Sequence, residues 1–357
     1  MRRALSTTLI LLALLARPAA TPARAAQTGQ GGASPAHAAR PGSASAFDAD
    51  RAFRHVKRLV ELGPHPAGSK TIETVRRYIV AALTLEEFER QDARPGAATP
   101  KRSALKVGLD EWVADTPHGK VRMANVVAEL PGESEDAIVI ASHYDTKEFK
   151  DFDFVGANDG CSSTAALLEI ARVLAQSNTR PRLTYRFVFF DGEEATCREW
   201  DECGKPGAPD NTYGSRHYVA QLRAHDQLKH VRALILLDMI GYEKLELGRD
   251  VMSTPWLVDA VWKTAREIGY AKQFAEHPEE VGGDDHEPFL LAGVPSIDLI
   301  QLNTYPHWHT ASDTLDKIAP ASLKAVGDTV IAALPRIEEK LKEGGRERLK
   351  PAPAPGT

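Results

Sequence analysis

What most constrains this chain is a series of short apolar runs, five to eight residues long and bounded by turn formers, that alternate with stretches of helical periodicity. The runs are Asn125–Leu130, Ala137–Ser142, Leu183–Phe190, Ala233–Ile240 and Ser296–Ile300, and their length and punctuation predict buried strands. Between them, Ser162–Ala175 opens on a Ser/Thr cluster and carries Leu167, Leu168, Ile170 and Leu174 on one stripe, which predicts a helix. Ser215–Leu222, Trp256–Ile268 and Ser322–Leu341 read the same way. Strands alternating with helices predict an α/β fold with a mostly parallel, mixed central sheet covered by helices on both faces. In such sheets, sites lie in the crevice beyond the carboxyl ends of the strands.

The 357 residues are 43% hydrophobic and 26% charged, enough for one α/β domain with a full core, two small domains being the less favoured division. A formal charge of -5 gives no concentrated basic face, so nucleic acid is not an expected partner.

At the N-terminus, Arg2 and Arg3 precede an apolar core from Leu9 to Leu15, and Ala23-Arg24-Ala25 offers a small-x-small cleavage site. Residues 1–25 therefore read as a signal for export, to a periplasm or the outside of the cell. The alternative is an uncleaved anchor, but the run is shorter than the ~20 residues of a membrane span, and none is expected after cleavage. Residues 26–46 are Ala, Gly, Ser and Pro with little apolar bulk and predict a flexible leader. Residues 343–357, rich in charge and Pro, predict a disordered tail, which leaves 47–342 as the folded domain. Of the cysteines Cys161, Cys197 and Cys203, an exported chain could pair the last two across a small loop; three free thiols are the other reading.

Chemistry-bearing residues gather just past the predicted strands. His143 and Asp145 follow the second, and Asp159 lies in Gly156-Ala157-Asn158-Asp159-Gly160 before a helix. Glu193 and Glu194 follow the third, Asp238 closes Leu234–Leu237, and His309 follows the last. Any one of these is more often a cap or turn residue than a ligand. Five such features at separate strand ends, all aimed at one edge of a sheet, point to a shared site. Mixed His, Asp and Glu donors suit Zn²⁺, which accepts all three and keeps a position open for chemistry. Of the adjacent pair Glu193-Glu194, one carboxylate can bind metal while the other moves protons.

With these residues in place, the chain resembles peptidase family M28 of the zinc aminopeptidase-like superfamily, and within it the glutaminyl cyclases, from about Leu62 to Ile318. The motifs are His143-Tyr144-Asp145, Gly156–Gly160, Glu193-Glu194, Asp238 and His309. Several stretches look more like a cyclase than an aminopeptidase, namely Phe189–Ala195, Trp200, Tyr213–His217, Leu236–Gly241, Asp284–Phe289, and Trp308 before His309. The segment Cys197–Asp210 departs from the cyclase pattern, being longer and carrying two Cys and two Pro. The resemblance implies a zinc aminopeptidase-like α/β/α domain in which Asp159, Glu194 and His309 hold zinc and Glu193 is the acid/base. It implies that Asp238 and Asp284 join a carboxylate network. In the two-zinc aminopeptidases the same positions make Asp159 a bridge and add His143 and Asp238 as ligands.

The implied reaction is conversion of a peptide's N-terminal Gln to pyroglutamate with release of ammonia, on one zinc. Its rival is hydrolysis of N-terminal residues by two zincs, and a non-catalytic peptide-binding protein is a third reading. In each, the partner is a peptide or protein N-terminus. A cyclase must fold a neutral Gln side chain back onto its own amine, which an aromatic-walled pocket favours. Trp200 and Trp308 are the expected walls, with Tyr305 a further one; ordinary packing is the plainer role for each Trp.

Overall fold

The alternation of in- and out-facing residues along the predicted strands settles how the layers stack. The computed structural model describes residues 47–84 and 105–343 except 178, 201 and 206. Its strands are β1 (Lys106–Thr116), β2 (Gly119–Leu130), β3 (Ser134–His143), β4 (Leu183–Phe190), β5 (Val231–Leu237), β6 (Leu247–Asp250), β7 (Phe274–Glu279) and β8 (Ser296–Leu299). Six of them form one sheet in the order β1-β2-β4-β3-β5-β8. β4, β3, β5 and β8 are mutually parallel, whereas the β1–β2 hairpin joins β4 antiparallel. The short β6 and β7 pair apart from this sheet.

The helices are α1 (Ala49–Leu62), α2 (Lys70–Thr84), α3 (Cys161–Ala175), α4 (Tyr213–Ala224), α5 (Pro255–Glu267), α6 (Glu287–Leu291) and α7 (Pro320–Glu343). Ile138 and Ile140 of β3, Phe187 and Phe189 of β4, and Ala233 and Ile235 of β5 pack in one cluster with α1, α2, α3, α5 and α7. Their neighbours Val139, Ala141, Val188, Phe190, Leu234 and Leu236 point the other way, onto Tyr218, Val219 and Leu222 of α4 and Phe289 of α6. The strands are thus buried on both faces, which is why they read as continuous apolar runs.

α1 begins where the Asp48 side chain accepts the Arg51 N–H at 2.9 Å, and Ala52, Val56 and Leu59 turn inward. α3 is buried over most of its length, and its one carboxylate, Glu169, is neutralised by Arg172 and Arg51 and accepts the Asp48 N–H.

Every expected strand and helix is present, most with shifted ends. β5 stops at Leu237 instead of running to 240, because Met239 has φ 49°, a left-handed conformation that a strand cannot continue through. The expected export signal over 1–25 and leader over 26–46 lie outside the described residues. So does the expected tail, save Glu343, the last residue of α7. No helix among the described residues is long and apolar enough to cross a membrane.

Candidate active site

Since β3, β4, β5 and β8 are parallel, their carboxyl ends share one edge, and the chemistry-bearing residues converge there. His143 is the last residue of β3, Asp238 follows β5 directly, and Glu193 and Glu194 sit three and four residues past β4. Asp159 stands in the turn before α3. That turn needs glycine at both ends. Gly156 has φ 54° and a Cβ there would lie 2.3 Å from the Asp159 carbonyl oxygen; Gly160 has φ 84° and would press on His143.

Two donor groups share one residue. Asp159, Glu194 and His309 form the first: His309 Nε2 lies 3.4 Å from Asp159 Oδ2 and 3.3 Å from Glu194 Oε2. His143, Asp159 and Asp238 form the second: His143 Nε2 lies 3.3 Å from Asp159 Oδ1 and 3.1 Å from Asp238 Oδ1. Asp159 Oδ2 and both oxygens of Glu194 are buried and make no hydrogen bond among the described residues. Buried carboxylate oxygens without donors are costly, and a divalent cation satisfies them. One imidazole with two carboxylates is a donor set that zinc accepts. The site therefore fits a metal ion.

The surrounding residues aim these ligands. Asp145 accepts the Glu193 and Glu194 N–H groups at 3.0 and 3.2 Å and so fixes the turn after β4. Asp313 does the same for the Asp159 turn, accepting the Asn158 and Asp159 N–H groups at 2.8 and 3.1 Å. The Asn158 side chain bridges to the Asp238 turn, accepting the Gly241 N–H and donating to the Met239 carbonyl. His309 itself has φ 52°, left-handed backbone that costs about 1–2 kcal/mol in a non-glycine residue. Lys147 is buried, and its ammonium donates to the Ala195 and Cys197 carbonyls.

Burial raises the Asp159 carboxyl to about 7, with Glu194 beside it pushing the same way. Burial also pushes Glu193 well above the usual carboxylate range, against the pull of His143, whose Nδ1 is 3.8 Å away. Glu194 moves the other way: burial opposes its charge, but His309 holds its carboxyl below the ordinary value. A bound cation would add to that pull on every ligand. Asp284 is raised by burial and by Asp238, and Asp298 well above the ordinary range by burial and Asp284. The carboxyls of Asp284 and Asp298 thus favour retaining protons.

A cavity of 170 Å³ opens over this floor, lined by Asp159, Glu193, Glu194, Asp238, Asp284 and His309. Its walls are Trp200, Trp308, Met239, Val281, Ile300 and Leu302. Trp308 is 41% exposed and stacks on the His309 ring at 4.1 Å. The expected site residues line the cavity except His143, Asp145 and Tyr305, which are buried outside its lining. Tyr305, expected as a wall, instead packs against Tyr242, and its hydroxyl donates to Asp313 at 2.6 Å. Cys197 and Cys203 form a disulfide, and Cys161 is a buried free thiol. Sequence reasoning gave no role to Asp145 or Lys147 and did not find Asp313 or the apolar walls at Val281, Ile300 and Leu302.

Comparison with known proteins adds to this geometry. The pattern of peptidase family M28 matches residues 125–334. The glutaminyl-peptide cyclotransferase of Bos taurus is 32% identical over 275 residues, covering 65% of this chain and 73% of the relative. The crystal structure of an Acidobacteriales bacterium glutaminyl cyclase superposes with a TM-score of 0.72 at 31% identity, covering 85% of this chain and 99% of that one. A leucine aminopeptidase precursor from Bacteroides thetaiotaomicron superposes with a TM-score of 0.68 at 29% identity, covering 80% and 96%.

Proposed function

Because this chain belongs to peptidase family M28, we propose that it is an enzyme of the cyclase branch: a zinc-dependent glutaminyl-peptide cyclotransferase that converts N-terminal Gln of peptides to pyroglutamate and ammonia. The observation that carries the reading is the cavity itself. It is sized for one side chain, walled by two tryptophans, and floored by a three-residue metal group beside the raised carboxyl of Glu193.

Asp159, Glu194 and His309 would hold the zinc ion, which when bound supplies Lewis acidity to the γ-carbonyl oxygen of the substrate. The chain's own residues do the rest. Trp200 and Trp308 bracket the Gln side chain so that its amide carbon comes within reach of the α-amine, replacing a search through many rotamers by one bound geometry. The amine nitrogen then bonds to the side-chain amide carbon (Cδ), closing a five-membered ring, and the bond from that carbon to the amide nitrogen breaks. Glu193 takes the proton from the attacking nitrogen and delivers it to the departing one, which leaves as ammonia. Its raised affinity for protons suits both halves of the transfer. Asp284, whose carboxyl burial and the neighbouring Asp238 push above the ordinary range, keeps a proton near Glu193, and Asp238 holds its place in the carboxylate network beside it. The test is stoichiometric: ammonia released per peptide consumed, with no free amino acid appearing. Free amino acid without ammonia would rule the reading out.

A specific observation supports the second reading, a two-zinc aminopeptidase: the group His143, Asp159 and Asp238 is complete and shares Asp159 with the first. Metal content separates the two, one zinc per chain for the cyclase and two for the aminopeptidase. Export to a periplasm or the outside of the cell belongs to the proposal and rests on the charged, apolar, then small pattern of residues 1–25. A mature protein whose measured mass begins at Ala26 tests it.

A further inference from the structure

We propose that Cys197 and Cys203 are positioning residues whose disulfide holds Trp200 against the cavity and thereby sets how tightly a peptide's first residue is bound. The inference rests on the reading above that Trp200 walls the substrate cavity.

Trp200 lies within the small loop that the disulfide closes, and it lines the cavity. The N-terminal foot of that loop is fixed. Cys197 is buried, its N–H donates to Asp210 Oδ2 at 2.8 Å, and its carbonyl accepts from Lys147 Nζ at 2.7 Å. Thr196 donates to the other Asp210 oxygen at 2.7 Å. Beyond Cys197 the character changes. Arg198, Glu199, Glu202, Gly204 and Lys205 are exposed. The hydrogen bonds there, among the described residues, are between Glu199 and Glu202, between Lys205 and Ala208, and at the surface from Arg198 to Asp151 at 3.4 Å. Arg198 pairs with exposed Asp151 and Glu199, and exposed pairs of this kind add little. The bond from Cys203 back to Cys197 is therefore the connection that returns the loop, with Trp200 in it, to the rigid foot.

The metal group has no such dependence. Glu193 and Glu194 are held by Asp145 and the Asp159 turn by Asp313, none of them in the loop. Cutting the disulfide should loosen one wall of the cavity and leave its floor intact. The lengthened Cys197–Asp210 segment thus places its aromatic wall with a covalent bond where the exposed surface offers few buried contacts.

The experiment compares wild type with C197S/C203S, W200A and the triple variant on a peptide with N-terminal Gln. We expect C197S/C203S to raise KM about tenfold, with kcat within about twofold and bound zinc unchanged. The triple variant should show the KM of W200A alone, because the disulfide acts through Trp200. Acrylamide quenching of the fluorescence that wild type has and W200A lacks should increase once the disulfide is gone. A wild-type KM in C197S/C203S while W200A raises KM overturns the inference and leaves the proposed function standing. Loss of zinc or of kcat in the double variant also overturns it, since the pair would then support the whole site. Should that variant not fold, wild type is reduced after folding with a water-soluble phosphine, which cleaves S–S to two thiols and becomes its oxide with oxygen from water; the same KM and quenching criteria apply. If wild type turns over no glutaminyl peptide, the proposed function fails, and quenching alone then decides the inference, unchanged access to Trp200 overturning it.

Discussion

Glu193 and Glu194 are neighbours in the chain, yet their surroundings push them in opposite directions. Burial and the nearby carboxylates raise Glu193, while His309 holds Glu194 in its charged form against burial. One carboxyl is thereby suited to carry protons and the other to bind a cation. Glu193→Gln keeps the volume and removes the proposed base. We expect kcat to fall by about 100-fold or more, the usual worth of a positioned acid/base, with zinc content unchanged by atomic absorption. His309→Ala should instead lose the metal, because it removes the one imidazole from the group. Here activity and zinc content should fall together, and excess zinc should restore part of both. Retention of a full zinc complement in that variant would contradict the ligand assignment.

The turns are where the element scale matters, since each ligand's aim is set by backbone held from elsewhere. Asp313→Ala removes the acceptor for two N–H groups of the Asp159 turn, and we expect zinc affinity to drop about 10- to 100-fold in chelator competition while the protein stays folded. The sequence displays the ligands but not this support. Asp313 acts on residues 154 and 155 positions away, and in Ser312-Asp313-Thr314 it looks like any surface turn. The central strands were legible because both faces are buried, so Tyr185–Phe190 is apolar but for Arg186. β1 was not, because it lies at the sheet edge with exposed and half-buried residues interleaved, and β6 and β7 are short and largely polar. The spacing of Cys197 and Cys203 permitted a disulfide without requiring it, and only the folded loop decides the matter. Tyr305 misled because an aromatic residue near a ligand looks like a wall until its hydroxyl finds Asp313.

Across the whole molecule, the packing of α1 makes stability depend on pH. His55 is buried beside Tyr78, with its Nδ1 2.8 Å from the hydroxyl, and burial followed by Arg51 lowers its pKa from 6.5 to about 3. A base whose folded pKa is depressed binds protons more readily when unfolded. Its contribution is therefore complete above pH 6.5 and is lost as the pH falls toward 3. Between pH 7 and 5 this amounts to about 2 kcal/mol. Thermal midpoints over that range should fall for wild type and fall less steeply for His55→Gln; parallel slopes would contradict the assignment. The helices that hold this packing also press the sheet into place, and its parallel strands gather the proposed ligands, the proposed proton carrier and the aromatic walls on one edge. Whether that edge cyclises or hydrolyses is decided by the mass of a short peptide with N-terminal Gln after incubation with the purified enzyme, with and without chelator. We expect a product lighter by one ammonia, formed above the spontaneous rate and abolished by removing zinc. A product shortened by one residue would refute the cyclase reading and place the enzyme with the aminopeptidases.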